Sequence, residues 1–276
     1  MPENSIKNSP NAEMSFLDHL EALRWHLVRS AIAVVTLGVT LFFMKDLVFD
    51  TIILGPKHTD FLTYRLMCRF SHFIGAGENL CINTIPFSLI NTELAGQFTM
   101  HMWIAFVGGL IIAFPYILWE IWRFIKPALN DKERNSTSGF VFFASILFLT
   151  GVLFSYYMIV PLTINFLGSY QVSTEISNTI TMDSYISTVT TLTLATGLVF
   201  ELPIVVYFLT RFGILSAAFM RQYRKHAAVV ILIVAAVITP SPDISSQLLV
   251  AIPLYILYEA SIFVSRYVER IRAKRI

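Results

Sequence analysis

One carboxylate stands out in this sequence because of its surroundings. Glu201 lies within the apolar run 198–206, and no Lys, Arg or His occurs within nine residues on either side. An ionised carboxylate at bilayer depth costs several kcal/mol, so it normally faces a helix-bundle interior or a wet cavity, where it serves a pathway or a docking surface. The alternative is a structural carboxylate, hydrogen-bonded to a neighbouring helix or paired in a soluble core. We treat Glu201 as a functional-site candidate.

A second set of reactive side chains lies in the segment 123–135, which follows an apolar run. Here Pro127 is expected to end or kink the preceding helix. A carboxylate such as Glu133, near a membrane-proximal aromatic ring such as Phe124, suits a guanidinium group, which can form a bidentate ion pair and stack on the ring. A Lys-Glu-Arg run in a loop is also typical of a solvated surface, so the segment alone leaves both interpretations open.

The composition indicates which kind of fold must position these groups. The chain has 276 residues, of which 55% are hydrophobic and 14% charged, and its mean hydropathy is +0.66. Ordinary soluble domains are about 25% charged. We therefore predict one all-α integral membrane domain. The net charge of +2 is too small to indicate a nucleic-acid partner, and no sequence feature suggests a cofactor or an enzyme active site.

Apolar runs predict six transmembrane helices. The fifth run is only 13 residues long, which as a helix spans roughly 20 Å against a hydrocarbon core of about 30 Å, so a re-entrant segment is the alternative there. Residues 1–27 precede the first span and contain leucines at helical spacing, typical of an amphipathic surface helix. A basic tail occupies 265–276. The predicted spans are about 28–47, 98–121, 140–162, 186–209, 227–239 and 248–264.

The distribution of Lys and Arg predicts the orientation. Basic residues are concentrated in 126–134, 211–225 and 266–275, whereas 168–183 and 240–247 contain none. Because cytoplasmic loops carry the excess of Lys and Arg, six full spans with both termini in the cytoplasm fit this pattern. A re-entrant fifth segment would separate the basic tail from the basic loop before it. The first outer loop also carries basic residues, but long loops cross the membrane with less regard to charge.

The first outer loop contains both cysteines of the chain, Cys68 and Cys81. On the oxidising side of a membrane they could form a disulfide, worth about 3 kcal/mol in the chain-entropy model. Two unpaired thiols are the alternative, and we favour the disulfide because of the compartment. No metal site is predicted, because His58 and His72 do not fall at a ligand spacing with the cysteines.

Four segments together resemble the TatC family, the multi-spanning core of the twin-arginine protein translocase. Any one of them would be weak evidence, but four in order on a matching topology are specific. The similarity extends over about 16–266. The segments are His-Leu-Glu-Ala-Leu-Arg at 19–24, Phe-Ile-x-Pro-Ala-Leu-x-x-x-Glu-Arg at 124–134, Phe-Glu-Leu-Pro at 200–203, and Thr-Pro-Ser-Pro-Asp-x-x-Ser-Gln at 239–247.

This resemblance implies a fold and a task. The fold would be a six-helix, glove-shaped receptor in the cytoplasmic membrane. It would bind the paired arginines of signal peptides and, in an oligomeric complex with single-span partners of the TatA and TatB type, move folded proteins across the bilayer by means of the proton-motive force.

The resemblance also implies roles for individual residues. Phe124 and Glu133 match the twin-arginine contact positions, and Glu21 and Arg24 match the amino-terminal part of that site. A second group matches positions that face the concave pocket or contact partners, namely Pro56, Glu201, Asp243 and Gln247. The sequence departs from the family pattern at Ala22, where the family has an acidic residue, and at Ser241, which spreads the proline motif. The first outer loop is also longer than is usual in the family.

A second class of function remains open from the sequence: a secondary transporter or channel with Glu201 as its coupling-ion site. Five threonines between 188 and 196 could make the outer half of the fourth span polar enough to line a wet path. Against this interpretation, the chain shows no internal repeat or paired discontinuous helices of the kind that transporters often have. An intramembrane hydrolase is less favoured, since no G-x-S-x-G, H-E-x-x-H or P-loop motif occurs.

Overall fold

The structure, a computed structural model, describes residues 16–73, 75, 77–78, 81–82, 87–126, 139–173, 178–239 and 244–273. Within these ranges the chain is mostly helical. The α-helices are α1 (Phe16–Phe43), α2 (Leu62–Phe73), α3 (Gly96–Ile125), α4 (Phe140–Phe154), α5 (Val160–Ser169), α6 (Met182–Val199), α7 (Leu202–Arg211), α8 (Ala217–Gln222), α9 (Arg224–Ile238) and α10 (Ile244–Ala273).

Four helical stretches of the described chain are long and apolar enough to cross a membrane: Leu20–Phe43, Gly96–Ile125, Phe140–Ser169 and Met182–Arg211. They overlap the first four apolar runs of the sequence, and the chain is a multi-pass membrane protein. The first span differs in its bounds, because α1 begins at Phe16 and continues without a break from the predicted amphipathic segment into the apolar run.

Close contact between α1 and α3 depends on two glycines. A Cβ atom on Gly109 would lie 2.7 Å from the backbone nitrogen of Gly38 and 2.7 Å from the carbonyl oxygen of Val34. Real Cβ atoms do not approach backbone this closely, so only glycine lets the two helices pack at this distance. Small residues at helix crossings are the usual device by which transmembrane helices gain packing contact.

The third and fourth predicted spans are not regular helices. A π-helical turn, Ser155–Ile159, joins α4 to α5, and the combined helix continues to Ser169, beyond the predicted end at residue 162. The fourth span is broken at Glu201, where α6 ends and α7 begins with Pro203 in its first turn. Proline has no backbone N–H for the preceding turn, so the Leu-Pro pair favours a new helix start over a continuous helix.

The purely helical fold predicted from the sequence needs a small correction. Strand β1 (Ser88–Ile90), which follows the cysteine-containing loop, pairs in parallel with β2 (Thr179–Thr181), which precedes α6. Leu89 lies opposite Ile180 in this two-stranded sheet. The sheet connects two loops that would otherwise be separate, and it caps the end of the bundle at which α5 ends and α6 begins.

The last two helices differ in length. α9 has 15 residues, about 22 Å at 1.5 Å per residue. α10 has 30 residues and continues to Ala273, so most of the predicted tail 265–276 is helical. Two contacts hold this extension: Thr210 donates a hydrogen bond to Ser265 at 3.0 Å, and the carboxylate of Glu269 accepts one from the backbone of Ala217 at 2.9 Å.

Candidate functional site

A buried ionic cluster joins α1 to the C-terminal end of α3. The Glu120 side chain is 1% exposed, and its Oε2 lies 2.5 Å from His26 Nδ1. Tyr116 donates a hydrogen bond to Glu120 Oε1 at 3.0 Å, and Arg123 Nη1 lies 3.5 Å from the same oxygen. A buried carboxylate requires such partners, since desolvation without compensation costs several kcal/mol. We call Tyr116, Glu120, Arg123 and His26 the His26–Glu120 cluster.

Sequence reasoning missed this cluster, although two signals were present. Glu120 is a carboxylate inside an apolar run, which is the criterion that selected Glu201. Tyr116, Glu120 and Arg123 are also spaced four and three residues apart, which places them on one helix face. The partner His26 could not be found in the same way, because it is 94 residues away along the chain.

Phe124, the predicted twin-arginine contact, lies beside this cluster. Its ring centroid is 6.0 Å from that of His26, in an edge-to-face arrangement. The ring is half-buried, one residue before α3 ends at Ile125. Pro127 and Glu133 follow in the chain and lie outside the described residues. His26 therefore contacts both the Phe124 ring and the buried Glu120 carboxylate, and it links the two.

Glu21 and Arg24 lie on α1, five and two residues before His26. They form an ion pair at 4.0 Å, and their side chains are 67% and 68% exposed. An exposed pair at this separation contributes little to stability, because water screens both charges. The Arg24 guanidinium also lies 5.6 Å from the ring centroid of Trp25. This turn of α1 therefore presents a carboxylate, a cation and an aromatic ring at the surface.

Glu201 lies at the junction between α6 and α7. Its Oε1 atom is buried and has no hydrogen-bond partner among the described residues. Its backbone carbonyl accepts the N–H groups of Ile204 and Val205 at 2.9 and 3.1 Å, which holds the junction in shape. An unsatisfied buried carboxylate oxygen costs about 1–3 kcal/mol or more. A proton, a water molecule or a polar group from a partner would relieve that cost.

A cavity of about 620 Å³ opens between α1, α3, α4 and α6. Its walls are mainly apolar, and the described lining residues do not include Glu201. Thr193, which does line it, is eight positions before Glu201, about 12 Å along a helix. The lining side chains come from these helices, the segment before α2, the first residue of α2 and the π-helical turn after α4, and include Leu41, Ile53, Leu62, Ile104, Val152, Tyr156, Val189 and Thr193.

The threonines of α6 are less available to water than the sequence suggested. Thr188, Thr190 and Thr193 each donate to the carbonyl four residues earlier, at 2.8, 2.8 and 2.7 Å. Thr190 in addition accepts a hydrogen bond from Trp103 Nε1 at 3.2 Å. Because their hydroxyl protons are directed to the helix backbone, these side chains make a weaker polar wall than the predicted wet path requires.

Pro56 has a structural position. The residue is buried, and its carbonyl oxygen lies 2.9 Å from the hydroxyl of Tyr64, which lies equally close to the carbonyl of Pro161. Burial raises the pKa of the Tyr64 hydroxyl well above its usual range, so it remains a donor. Pro56 was predicted as a pocket or partner contact. That role stays a prediction.

The remaining predicted contacts involve α9 and α10. Gln247 donates a hydrogen bond from Nε2 to the carbonyl of Leu232 at 3.0 Å, which ties the start of α10 to α9. Asp243 lies outside the described residues. At the other end of α9, Arg224 Nη2 pairs with Glu259 Oε2 at 2.7 Å. This pair accounts for the acidic residue within the predicted sixth span.

Cys68 and Cys81 form a disulfide, with their Cα atoms 4.4 Å apart. His72, which the sequence did not associate with the cysteines, lies one helical turn after Cys68 on α2, with Nδ1 3.8 Å from the Cys68 sulfur. A sulfur atom in a disulfide is not a thiolate, and metal ligation by cysteine requires the thiolate. The three side chains are therefore not a metal centre in this oxidation state.

The chain is similar to known proteins over nearly its full length. The family model described as Sec-independent protein translocase protein (TatC) matches residues 18–253. The Sec-independent protein translocase protein TatC of Blattabacterium sp. subsp. Periplaneta americana (strain BPLAN) is 40% identical over 266 residues, 96% of this chain and 99% of that protein. The protein TatCy of Bacillus subtilis (strain 168) is 31% identical, over 94% of this chain and 91% of its own length.

Two solved structures have the same fold. A crystal structure of a twin-arginine translocase receptor, TatC, matches with a TM-score of 0.66 and 31% identity, covering 91% of this chain and 99% of that one. A crystal structure of such a receptor in DDM gives 0.67 and 32%, covering 90% and 99%. Since family, relatives and fold agree over most of the chain, this protein belongs to the TatC family and is a component of a Sec-independent protein translocase.

Proposed function

We propose that this chain is the twin-arginine signal-peptide receptor of its translocase, and that it forms the core of a complex that exports folded proteins with the proton-motive force. The observation that carries the proposal is the position of Phe124. A half-buried aromatic ring at the end of a membrane-spanning helix, packed against His26 of the His26–Glu120 cluster, offers a guanidinium group a stacking surface.

The rest of the binding site would come from two segments near Phe124. Glu133 follows it by nine residues and supplies a carboxylate suited to a bidentate pair with arginine. Glu21 and Arg24 lie on the exposed turn of α1 that precedes His26. Glu21 would bind the second guanidinium, taking the role of the acidic residue that the family has at position 22, and Arg24 would lie beside it.

The proposed topology has six spans with both termini in the cytoplasm, in the glove shape of the family and in the inner membrane. Here α9 is the short fifth span and α10 contains the sixth. The Gln247–Leu232 and Arg224–Glu259 contacts support this arrangement, because they make α9 and α10 antiparallel. The basic start of α9 and the basic end of α10 then lie toward the same side, as expected if that side is cytoplasmic.

Partners of the TatA and TatB type would dock through a polar group on their single transmembrane helix. Glu201 is the proposed docking group, since its unsatisfied buried oxygen can accept a hydrogen bond from such a helix. Gln247 and Asp243, on the outer side, would support the same contact. Hydrogen bonds between transmembrane helices contribute roughly 0.6–2 kcal/mol, which suits a partner that binds and leaves.

Photocrosslinking at Phe124 tests the proposal. The full-length chain carrying p-benzoylphenylalanine at this position is expected to crosslink to a signal peptide with two arginines and much less to the same peptide with two lysines. Lysine retains the charge but loses planar, bidentate recognition. A matched control places the photoreactive residue at Phe142, an exposed position of α4. Equal crosslinking of both peptides at Phe124 would contradict the receptor assignment.

A further inference from the structure

Helix α2, in the loop between α1 and α3, exposes a continuous apolar stripe. Leu62, Leu66, Phe70 and Phe73 are 50%, 53%, 58% and 88% exposed. At 100° per residue these four side chains fall within an arc of about 80°. The buried side chains of α2 include Tyr64 and Ser71, which lie on the opposite side of the helix. At the first turn this face still approaches the protein, since Thr63 is buried and Leu62 lines the cavity between the spans. From Leu66 to Phe73 the stripe faces away from the described part of the chain.

Two arginines flank the stripe on one side. Arg65 and Arg69 are exposed and lie one turn apart. Arg65 is three residues from Leu62, and Arg69 is three residues from Leu66 and four from Phe73, so both arginines border the stripe on the helix surface. A helix that combines a narrow apolar face with cations at its edge is the pattern of segments that lie in the interfacial plane of a bilayer. The apolar face enters the acyl boundary, while the guanidinium groups remain among the phosphates.

Contacts with the third span hold the start of α2 near the boundary of the hydrocarbon core. Thr63 donates a hydrogen bond to the carbonyl of Tyr157, and the Tyr64 hydroxyl lies 2.9 Å from the carbonyl oxygen of Pro161. Phe61 stacks on Tyr157, with ring centroids 5.6 Å apart. Tyr157 lies roughly 26 Å along the third span from its start at Phe140, and the hydrocarbon core is about 30 Å thick. The contacts with Tyr157 therefore place the start of α2 near the far boundary of the core.

We propose that α2 is a monotopic membrane-surface helix, whose stripe inserts into the outer leaflet and whose Arg65 and Arg69 bind the phosphates of anionic phospholipids. The assignment to the outer leaflet rests on the proposed topology. The Cys68–Cys81 disulfide lies on the flank of the helix away from the stripe, so it ties α2 to the following loop without covering the apolar face.

A bilayer fits this face better than a protein partner does. Four apolar side chains are far fewer than the 20–30 residues per side of a stable protein interface. The stripe also lies beside a span whose own exposed side chains must face lipid, so lipid contact would continue from the span onto α2. A second copy of the chain or another protein would have to displace lipid in order to reach it.

Photocrosslinking from the stripe tests this proposal. The full-length chain carries p-benzoylphenylalanine at Phe70 or, as a second variant, at Phe73, in nanodiscs of equal parts phosphatidylglycerol and phosphatidylcholine. Both side chains are exposed, so their replacement leaves the packing unchanged. Phe142, exposed on a span, is the positive control, and His72, exposed on the flank of α2 away from the stripe, is the low-yield control.

We expect lipid adducts at Phe70 and Phe73, several-fold more than at His72, with phosphatidylglycerol over-represented. The double variant Arg65→Gln/Arg69→Gln should retain the adducts and lose the preference for phosphatidylglycerol. Adducts with a second copy or another protein, or none at Phe70 and Phe73 while Phe142 captures lipid, would overturn the proposal. Signal-peptide binding is not involved, so this outcome is independent of the receptor function.

Discussion

His26 and Glu120 connect the first membrane helix to the end of the second through a 2.5 Å contact between imidazole and carboxylate. The same imidazole meets the ring of Phe124. One buried acid thus stabilises the α1–α3 pair and sets the position of the aromatic residue proposed to receive the signal peptide. Stability and peptide recognition should depend on it together.

We therefore expect Glu120→Ala to destabilise the protein by roughly 2–4 kcal/mol, because it leaves His26 and Tyr116 without their buried acceptor. Affinity for the twin-arginine peptide should fall as well. Thermal unfolding in detergent and peptide titration measure the two effects. The matched control is Glu21→Ala, which removes an exposed carboxylate and should alter stability by less than about 0.5 kcal/mol. Equal stability losses in the two variants would refute the proposed role of the buried cluster.

The disulfide makes a separate prediction. Non-reducing mass spectrometry of protein from intact cells should show one linked peptide pair containing Cys68 and Cys81. The double variant Cys68→Ser/Cys81→Ser should lose stability in the outer loop, by about 3 kcal/mol at most, with peptide binding unchanged. Thiols that label readily in intact cells would show that the bond does not form in vivo.

The shortness of α9 also has a testable consequence. A helix shorter than the bilayer must thin the membrane, tilt its neighbours or recruit partners, and local thinning would lower the barrier for a polar cargo. Inserting four apolar residues after Val234 lengthens the helix by about 6 Å. Transport assayed in vesicles should be impaired while signal-peptide binding remains. Val237→Leu, at an exposed position, keeps the length and is the control. Normal transport by the insertion variant would contradict a role for membrane thinning at α9.

Glu201 distinguishes the docking role from the transporter alternative. Glu201→Gln keeps a hydrogen-bonding side chain and removes the charge, whereas Glu201→Ala removes both. If a partner helix docks there, Gln should retain much of the transport and Ala should lose it, with peptide binding largely intact in both. A proton or ion carrier would be inactivated equally by the two changes. Transport assays on both variants therefore decide between the roles, and no loss in either would leave a structural role alone.

Local patterns in the sequence were sufficient to predict the long apolar helices and the family. Composition and hydropathy located the first four spans, because lipid exposure requires continuous apolar runs. The broken helix at Glu201 could also have been predicted, since Pro203 stands inside the fourth run. The amphipathic face of α2 was readable as well, from four apolar residues that recur at helical spacing beside two arginines.

Contacts between distant residues could not be predicted in this way. His26 and Glu120 are 94 residues apart. The strands β1 and β2 pair although the second and third spans separate them in the sequence. Neither leaves a periodic signal, because each depends on how the helices pack. The sequence likewise gave no reason to expect that Pro56 would be buried against Tyr64. Motif similarity indicated which residues matter but not what they touch.

The most direct test of the receptor assignment is the affinity of the purified chain for a twin-arginine signal peptide, compared with Glu133→Lys. Lysine replaces attraction for guanidinium with repulsion at a partly desolvated site, a change of several kcal/mol. We expect the variant to insert and fold normally and to lose measurable binding, while Glu133→Gln retains part of it. Unchanged affinity in a stable, membrane-inserted Glu133→Lys protein would contradict the account.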